Sequence, residues 1–317
     1  MSPRLALGLT LALAGVGAAC GDSRLSDGAS DGAVAGDDGD AKTDVAPDGG
    51  VGDVADAGEA AGKRSAGCGA SPDQVLGKYV EHMQVVSDVA PAYAATYTDR
   101  KYWLRLPLAY DPARAYPTVL IGPGCGESGQ APIPIQQASG EDAIIVGLNG
   151  VNDCFTHDTA DTPDLPYFDA TLATVEASSC VDTSRVFVMG FSSGSWLTSF
   201  LGCARGDVIR AQASVAGGLP PIPPTCKGPI PAMFVTDTAD TSPSNVMAAL
   251  ARVLATNGCG TTTVAYDIGV PSPCVQYQGC MAGEPVIFCE TMGLGHVDQS
   301  TTKISTVGFW HFFTSLP

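Results

Sequence analysis

An α/β architecture, a mostly parallel central sheet with helices on both faces, is the fold class this sequence predicts. Three observations predict it. Beyond Cys68, short apolar runs alternate with segments of helical spacing, the order produced by parallel strands joined through crossover helices. The run at 143–148 is continuously apolar, as expected of a strand buried on both faces. Residues 185–194 carry an apolar strand into Gly190-Phe191-Ser192-Ser193-Gly194 and then directly into a helical segment at 196–201.

The elements follow in chain order. Residues 102–107 and 117–122 are predicted strands, joined through the turn Tyr110-Asp111-Pro112. Residues 143–148 form the next strand, and 167–178 a helix, because Phe168, Leu172 and Val175 recur at spacings of four and three. After the strand and helix around Ser192 come strands at 211–216 and 231–236. A helix at 245–256 has Ser244 as its cap and Gly258 as its stop. The last strand is 285–289 and the last helix 303–316. No internal repeat is apparent.

The N-terminal residues belong to other classes of sequence. Arg4 followed by the apolar run 5–14 has the charged start and short apolar core of a secretory signal, assigned to 1–20. It closes on Gly17-Ala18-Ala19-Cys20, which resembles a bacterial lipobox, so a lipidated Cys20 anchoring the chain to a membrane at the cell surface is expected. The alternative is a soluble secreted protein cut at the same small residues. Residues 21–66 hold eleven acidic and four basic side chains among Gly, Ala and Ser, with no aromatic residue. Such a stretch buries too little apolar area to offset its ordering entropy, so it is predicted to be a disordered Asp/Gly/Ala-rich tether. Its Asp-Gly pairs lack the oxygen spacing of a calcium loop. Residues 67–317 then form the single α/β domain.

Of the net charge of −17, residues 67–317 keep 22 acidic against 11 basic side chains, which argues against a nucleic-acid partner. Beyond Cys20 there are ten cysteines, an even number in an exported chain, so up to five disulfides are expected. Cys125 with Cys154 and Cys180 with Cys203 are the expected pairs. No C-x-x-C occurs, and no metal site is expected.

A strand that turns into a helix through G-x-S-x-G holds its serine on an exposed, strained bend, with glycines where a Cβ would clash. In a chain rich in glycine and serine an ordinary tight turn is the alternative; the flanking strand and helix favour a nucleophile at Ser192. A serine hydroxyl reacts at neutral pH only when a base removes its proton, and histidine suits that task. His82 and His157 precede the serine, and His311 sits among Trp310, Phe312 and Phe313. His296, in the loop Gly293-Leu294-Gly295-His296-Val297 after the last strand, stands where folds built around such a bend place their base. A carboxylate should lie between them in chain order. The loop after 231–235 offers Asp237 and Asp240; the greater reach favours Asp240, with Asp237 stabilising the turn. Two N–H donors must face the developing oxyanion. Ser193, at the helix start, supplies one. The loop 121–128 supplies the other from Cys125, with Gly124 beside it, since Pro123 has no N–H.

Gly124-Cys125-Gly126, the stretch from Phe168-Asp169-Ala170 to Cys180-Val181-Asp182, the serine bend, Thr238-Ala239-Asp240, and Cys280 to Cys289 followed by Gly295-His296 resemble one family. It is the secreted serine esterases that group feruloyl esterases, acetyl xylan esterases and polyhydroxybutyrate depolymerases. The similarity covers roughly residues 100–315. It implies an α/β-hydrolase fold, cleavage of carboxylic esters on polymers without metal or organic cofactor, and Ser192, Asp240 and His296 as the triad. Two positions depart from the family's usual pattern: Pro123-Gly124 where His-Gly often precedes the cysteine, and Val297-Asp298 where Trp-Pro often follows the base. The expected partner is an ester substrate, feruloyl or acetyl groups on polysaccharide or else a polyester, acted on by a monomer. Trp103, Trp196 and Tyr167 are expected at the pocket wall. A reading from another class is a surface lipoprotein that binds without catalysis.

Overall fold

The predominantly apolar runs end in the middle of the sheet. The computed structural model of the protein describes residues 63–130, 134–156, 162–220 and 224–317. The chain passes through β1 (Tyr79–Val85), the short α1 (Ala94–Tyr97), β2 (Asp99–Arg105), β3 (Tyr116–Gly122), α2 (Ile135–Ser139) and β4 (Ile144–Leu148). Next come α3 (Asp164–Ser178), β5 (Val181–Phe191), α4 (Ser193–Ala204), β6 (Ala211–Val215), β7 (Ala232–Asp237) and α5 (Pro243–Thr256). The last third adds β8 (Thr263–Ala265), β9 (Cys274–Tyr277), β10 (Val286–Thr291), α6 (Gly295–Asp298) and α7 (Phe309–Ser315). Every residue of β3, β4, β6 and β7 is buried; β4 is accordingly apolar throughout, whereas β6 alternates, with Gln212 and Ser214 buried between apolar neighbours.

The strands lie in the order β1-β2-β4-β3-β5-β6-β7-β10-β9-β8. The six from β4 to β10 are parallel, and antiparallel pairs flank them at both edges. One face packs Leu120, Val146 and Val188 against Phe168 and Leu172 of α3 and Leu197 of α4. The other packs Val119, Ile145 and Met189 with Ile135 of α2 and Phe309, Phe312 and Phe313 of α7. Each fully buried phenylalanine contributes about 1.5–3 kcal/mol. Because the central strands are parallel, the loops that follow β3, β5, β7 and β10 all open at the same edge.

Several expectations are corrected. The stretch assigned to the tether runs into the body: Ser65 is buried, its N–H donates to the Val181 carbonyl and its hydroxyl to that of Ser179. The signal segment, Cys20 and the rest of the tether lie outside the described residues, as does His157. Five disulfides form, Cys68–Cys180, Cys125–Cys154, Cys203–Cys226, Cys259–Cys280 and Cys274–Cys289. Cys125–Cys154 is the pair expected, whereas Cys180 and Cys203 do not meet. Cys180 precedes β5 and is bonded to Cys68, beside Gly67, whose N–H donates to the Glu176 carbonyl, and Cys203, in the last turn of α4, faces a loop whose Lys227 N–H donates to its carbonyl at 2.8 Å. The helix α5 starts at Pro243 rather than after Ser244, proline at N1 presetting φ where no N–H bond is needed. The final helix is broken: a 3₁₀ turn (Gln299–Thr301) and a π-helical turn (Ile304–Gly308) precede α7.

Candidate active site

Ser192 sits at φ 51°, ψ −117°, a backbone region that costs a non-glycine residue about 1–3 kcal/mol. Close approach on both sides holds it there. A Cβ on Gly194 would come within 1.9 Å of the Gly122 carbonyl oxygen, and one on Gly190 within 2.2 Å of the Gly194 carbonyl oxygen. The start of α4 is thus pressed against the end of β3, and only glycines fit. The Ser192 N–H donates to the Val215 carbonyl at 3.1 Å, and its carbonyl accepts from Ser195 and Trp196.

The structure brings Ser192, His296 and Asp240 together. His296 Nε2 is 3.0 Å from Ser192 Oγ, and its Nδ1 is 3.1 Å from both carboxylate oxygens of Asp240. The Asp240 side chain is 2% exposed and the imidazole 34%, so the acid is sheltered while the base reaches solvent. Burial pushes the Asp240 carboxyl up, but the Ser242 N–H, His296 and Gln299 more than reverse this, leaving it below its ordinary range. Phe191 lies tilted against the imidazole, with ring centroids 5.2 Å apart.

Asp237 does not touch the imidazole. It is fully buried, and its Oδ1 accepts from the N–H groups of Ala239, Leu294 and Gly295 while Oδ2 accepts from the Thr291 hydroxyl. Burial alone would raise its carboxyl; these four donors outweigh it and hold the pKa down at about 2. One carboxylate therefore ties the loop after β7 to the loop that carries the histidine.

In the loop after β3 the Gly124 N–H donates to the Glu127 carboxylate at 2.8 Å and the Gly126 N–H to the Asp153 carbonyl at 2.8 Å. Gly124 is therefore engaged and does not stand beside Cys125 as a second donor. Among the described residues, neither the Cys125 N–H nor the Ser193 N–H has an acceptor. Ser193 is the first residue of α4, where the helix dipole favours negative charge.

No family model matches the chain. It is 28% identical over 211 residues to feruloyl esterase D of Neurospora crassa, covering 60% of this chain and 71% of that protein. With feruloyl esterase C of Emericella nidulans it shares 30% identity over 129 residues, which spans about half of that relative, 47%, and 38% of this chain. An acetyl xylan esterase from Aspergillus awamori superposes with a TM-score of 0.54 at 13% identity, over 74% of this chain and 99% of that one. A thermostable esterase superposes with a TM-score of 0.51, also at 13% identity, over 75% of this chain and 63% of that one. The chain has the α/β-hydrolase fold.

Within this α/β-hydrolase the loop carrying Cys125 is braced from a distance. Cys125–Cys154 binds it to the loop after β4, and that loop hangs on a buried ion pair. Arg100 Nη2 donates to Asp164 Oδ1 at 2.7 Å and to the Asn149 carbonyl at 2.8 Å, and Asp164 Oδ2 accepts from the Thr156 N–H. Asn149 Oδ1 in turn accepts from the Gly129 N–H. Tyr167, expected at the pocket wall, belongs to this brace: it is fully buried under the Arg100 guanidinium, and its hydroxyl donates to the Lys101 carbonyl. Trp103 is likewise buried, in β2. Trp196 remains half-buried beside Gly218. The rim near His296 is instead apolar: Met292, Leu294 and Val297 are exposed. Among the described residues no group of His, Cys, Asp and Glu converges as a metal ion requires. Gln299, absent from the sequence-based site, donates from Nε2 to Asp240 Oδ2; its place one helical turn after His296 is the signal that points to it.

Proposed function

We propose that the protein is an exported serine esterase that hydrolyses carboxylic esters of a polymer or its fragments, feruloyl or acetyl groups on polysaccharide, through an acyl-enzyme on Ser192. The observation that carries this reading is the continuous hydrogen-bonded line from Ser192 Oγ through His296 to Asp240. Oγ attacks the ester carbonyl carbon as its proton passes to His296 Nε2, and Asp240 stabilises the imidazolium. The N–H groups of Cys125 and Ser193 receive the carbonyl oxygen as it gains charge. Collapse of the tetrahedral intermediate breaks the bond to the alcohol oxygen, which takes the proton from Nε2. Water, deprotonated by the same imidazole, then releases the acid and restores Ser192.

The sequence similarity to feruloyl esterases supports this substrate class. The exposed Met292, Leu294 and Val297 beside the base offer the apolar contact that a feruloyl ring needs. Five disulfides suit an oxidising extracellular compartment, with Cys20 as the proposed lipid anchor.

A fluorophosphonate probe tests the chemistry and a substrate panel the class. Labelling of the wild type that vanishes in Ser192→Ala and falls sharply in His296→Ala is expected. Absence of labelling in folded wild type would favour a binding lipoprotein instead. On methyl ferulate, acetylated xylan and a hydroxybutyrate oligomer, turnover of either of the first two supports the polysaccharide reading. Turnover of the oligomer alone would replace it with a polyester depolymerase.

A further inference from the structure

The Gln299 side chain is fully buried, and its amide nitrogen has two acceptors, one in the loop after β7 and one at the start of α6. Nε2 donates to Asp240 Oδ2 and, at 2.9 Å, to the carbonyl of Gly295, the residue before His296. Both partners only accept, which fixes the amide with nitrogen toward them. The backbone of Gln299 is anchored too, its carbonyl accepting from the Ser305 hydroxyl at 2.6 Å and from Thr302. The other carboxylate oxygen of Asp240 is held from its own loop by the Ser242 N–H at 3.0 Å. Gln299 thus grips the side of the acid that its own loop leaves unheld, and with the same NH₂ group it grips the chain that carries the base.

We infer that Gln299 is a positioning residue: its amide sets the acid and the base in register, so that both Asp240 oxygens face Nδ1 and Nε2 stays aimed at Ser192. The inference rests on the proposed triad. A neutral donor suits the task, since it orients the carboxylate without neutralising it and leaves its charge available to the imidazolium. A cation there would pull Asp240 away from its partner, and a second carboxylate would repel it.

Three proteins test this on a soluble neutral ester: Gln299→Met, which keeps the length and removes the donors, Gln299→Glu, which replaces a donor with a titrating acid, and Ser192→Ala as reference. Gln299→Met is expected to lower kcat about 10- to 100-fold with KM changed less than about threefold, and to slow fluorophosphonate labelling by the same factor. Gln299→Glu places a second negative charge beside Asp240 and His296, the titratable groups it faces, with Asp237 held on the Gly295 N–H at the start of α6. It is expected to move the acid limb of kcat/KM to higher pH by about one pH unit, a displacement that packing damage alone would not cause. Folded Met and Glu variants with wild-type kcat and an unmoved acid limb would overturn the inference, while loss of all turnover in Ser192→Ala would leave the triad standing. Turnover retained in Ser192→Ala would overturn both. The wild type offers a check that needs no variant: the Gln299 side-chain amide protons, followed by nitrogen-15 NMR, are expected to exchange far more slowly than exposed glutamine amides. Exchange at the exposed rate would count against the brace even if neither variant folded.

Discussion

The two halves of the site are built by opposite means. The loop that offers the Cys125 N–H is exposed and fastened by a covalent bond to Cys154. The loops that hold Asp240 and His296 carry no disulfide of their own and are fastened by buried hydrogen bonds that converge on Asp237 and Gln299. A donor that must stay free of internal partners cannot be held by its own hydrogen bonds, so its neighbours and a cross-link hold it. In the proposed triad the carboxylate must stay ionised and stabilise the charge the imidazole gains, and hydrogen bonds that favour the charged form suit it. The halves should therefore fail under different insults: protonation and donor loss on one side, reduction on the other.

The largest effect is expected where the line of proton transfer is cut. His296→Ala should reduce kcat by about 10⁴- to 10⁶-fold, and Asp240→Asn by about 10⁴-fold, because an amide leaves the imidazole free to take the wrong tautomer. Single-turnover acylation with an activated ester measures both. A loss below about 100-fold for Asp240→Asn would mean that the acid–base half tolerates slack, and the contrast with the oxyanion half would disappear.

Next in size is the covalent fastening. Removing one oxyanion donor outright costs about 10²–10³ in kcat; freeing Cys125 from Cys154 displaces the proposed donor without removing it, so a 10- to 100-fold fall in kcat with little change in KM is expected. The double variant Cys125→Ala/Cys154→Ala measures this, with thermal unfolding to confirm a folded chain. Under mild reductant the same bridge is expected to open before Cys274–Cys289, whose sulfurs are buried, as mapped by alkylation and mass spectrometry. Wild-type kcat in the folded double variant would show that the Arg100–Asp164 brace suffices alone.

The acid–base half responds to pH instead. The Asp237 carboxyl titrates at about 2 in the folded protein, against about 3.9 for an unperturbed aspartate. A depressed folded pKa contributes stability that is complete above the unfolded value and disappears as pH falls through the folded one. Stability measured by guanidinium unfolding should therefore decline between about pH 4 and pH 2, and Asp237→Asn should flatten that decline. At neutral pH the variant should lose about 1–2 kcal/mol, the difference between charge-assisted and neutral hydrogen bonds, with up to about a tenfold fall in kcat as the His296 loop loosens. A decline of wild-type steepness in Asp237→Asn would place the acid sensitivity elsewhere.

What the sequence made legible follows the same division. β4 could be read because burial on both faces leaves an unbroken apolar run, and the serine bend because Gly190 and Gly194 stand where no Cβ fits, between a strand and a helix. The order of Ser192, Asp240 and His296 could be read because strand order in a parallel sheet fixes which loops share an edge. β1 was not legible: its outward side chains include Met83 and Val85, whereas His82 and Gln84 face inward, the reverse of the usual alternation. His82 is accommodated there by stacking on Tyr102 and a bond to Gln74. β8 and β9, three and four residues long, are too short for any period. Disulfide partners depend on which loops fold against each other, so Cys180 could not be matched to Cys68 across 112 residues. Gln299 falls between the last predicted strand and helix, and Tyr167 was expected at the pocket wall; their roles lie in contacts with Asp240 and with the Lys101 carbonyl, which the sequence does not place beside them.

The smallest predicted effect tests how finely the exposed half is tuned. The Glu127 carboxylate occupies the Gly124 N–H, one residue from the proposed donor. Glu127 is exposed, so the bond contributes only about 0.5–1 kcal/mol. Glu127→Gln keeps an acceptor oxygen at the same reach and should leave kcat unchanged. Glu127→Ala releases the Gly124 N–H, and two outcomes of opposite sign follow from the two ways a loop can use that freedom. If the carboxylate keeps the loop in shape for Cys125, kcat falls about two- to fivefold, matching the small energy of the bond. If it withholds a donor that could turn toward the substrate oxygen, kcat rises. A fall is expected, because a Cβ on Gly124 would come within 2.9 Å of the Phe191 ring. Packing this tight leaves the peptide little room to rotate, so releasing its N–H loosens the turn without re-aiming it.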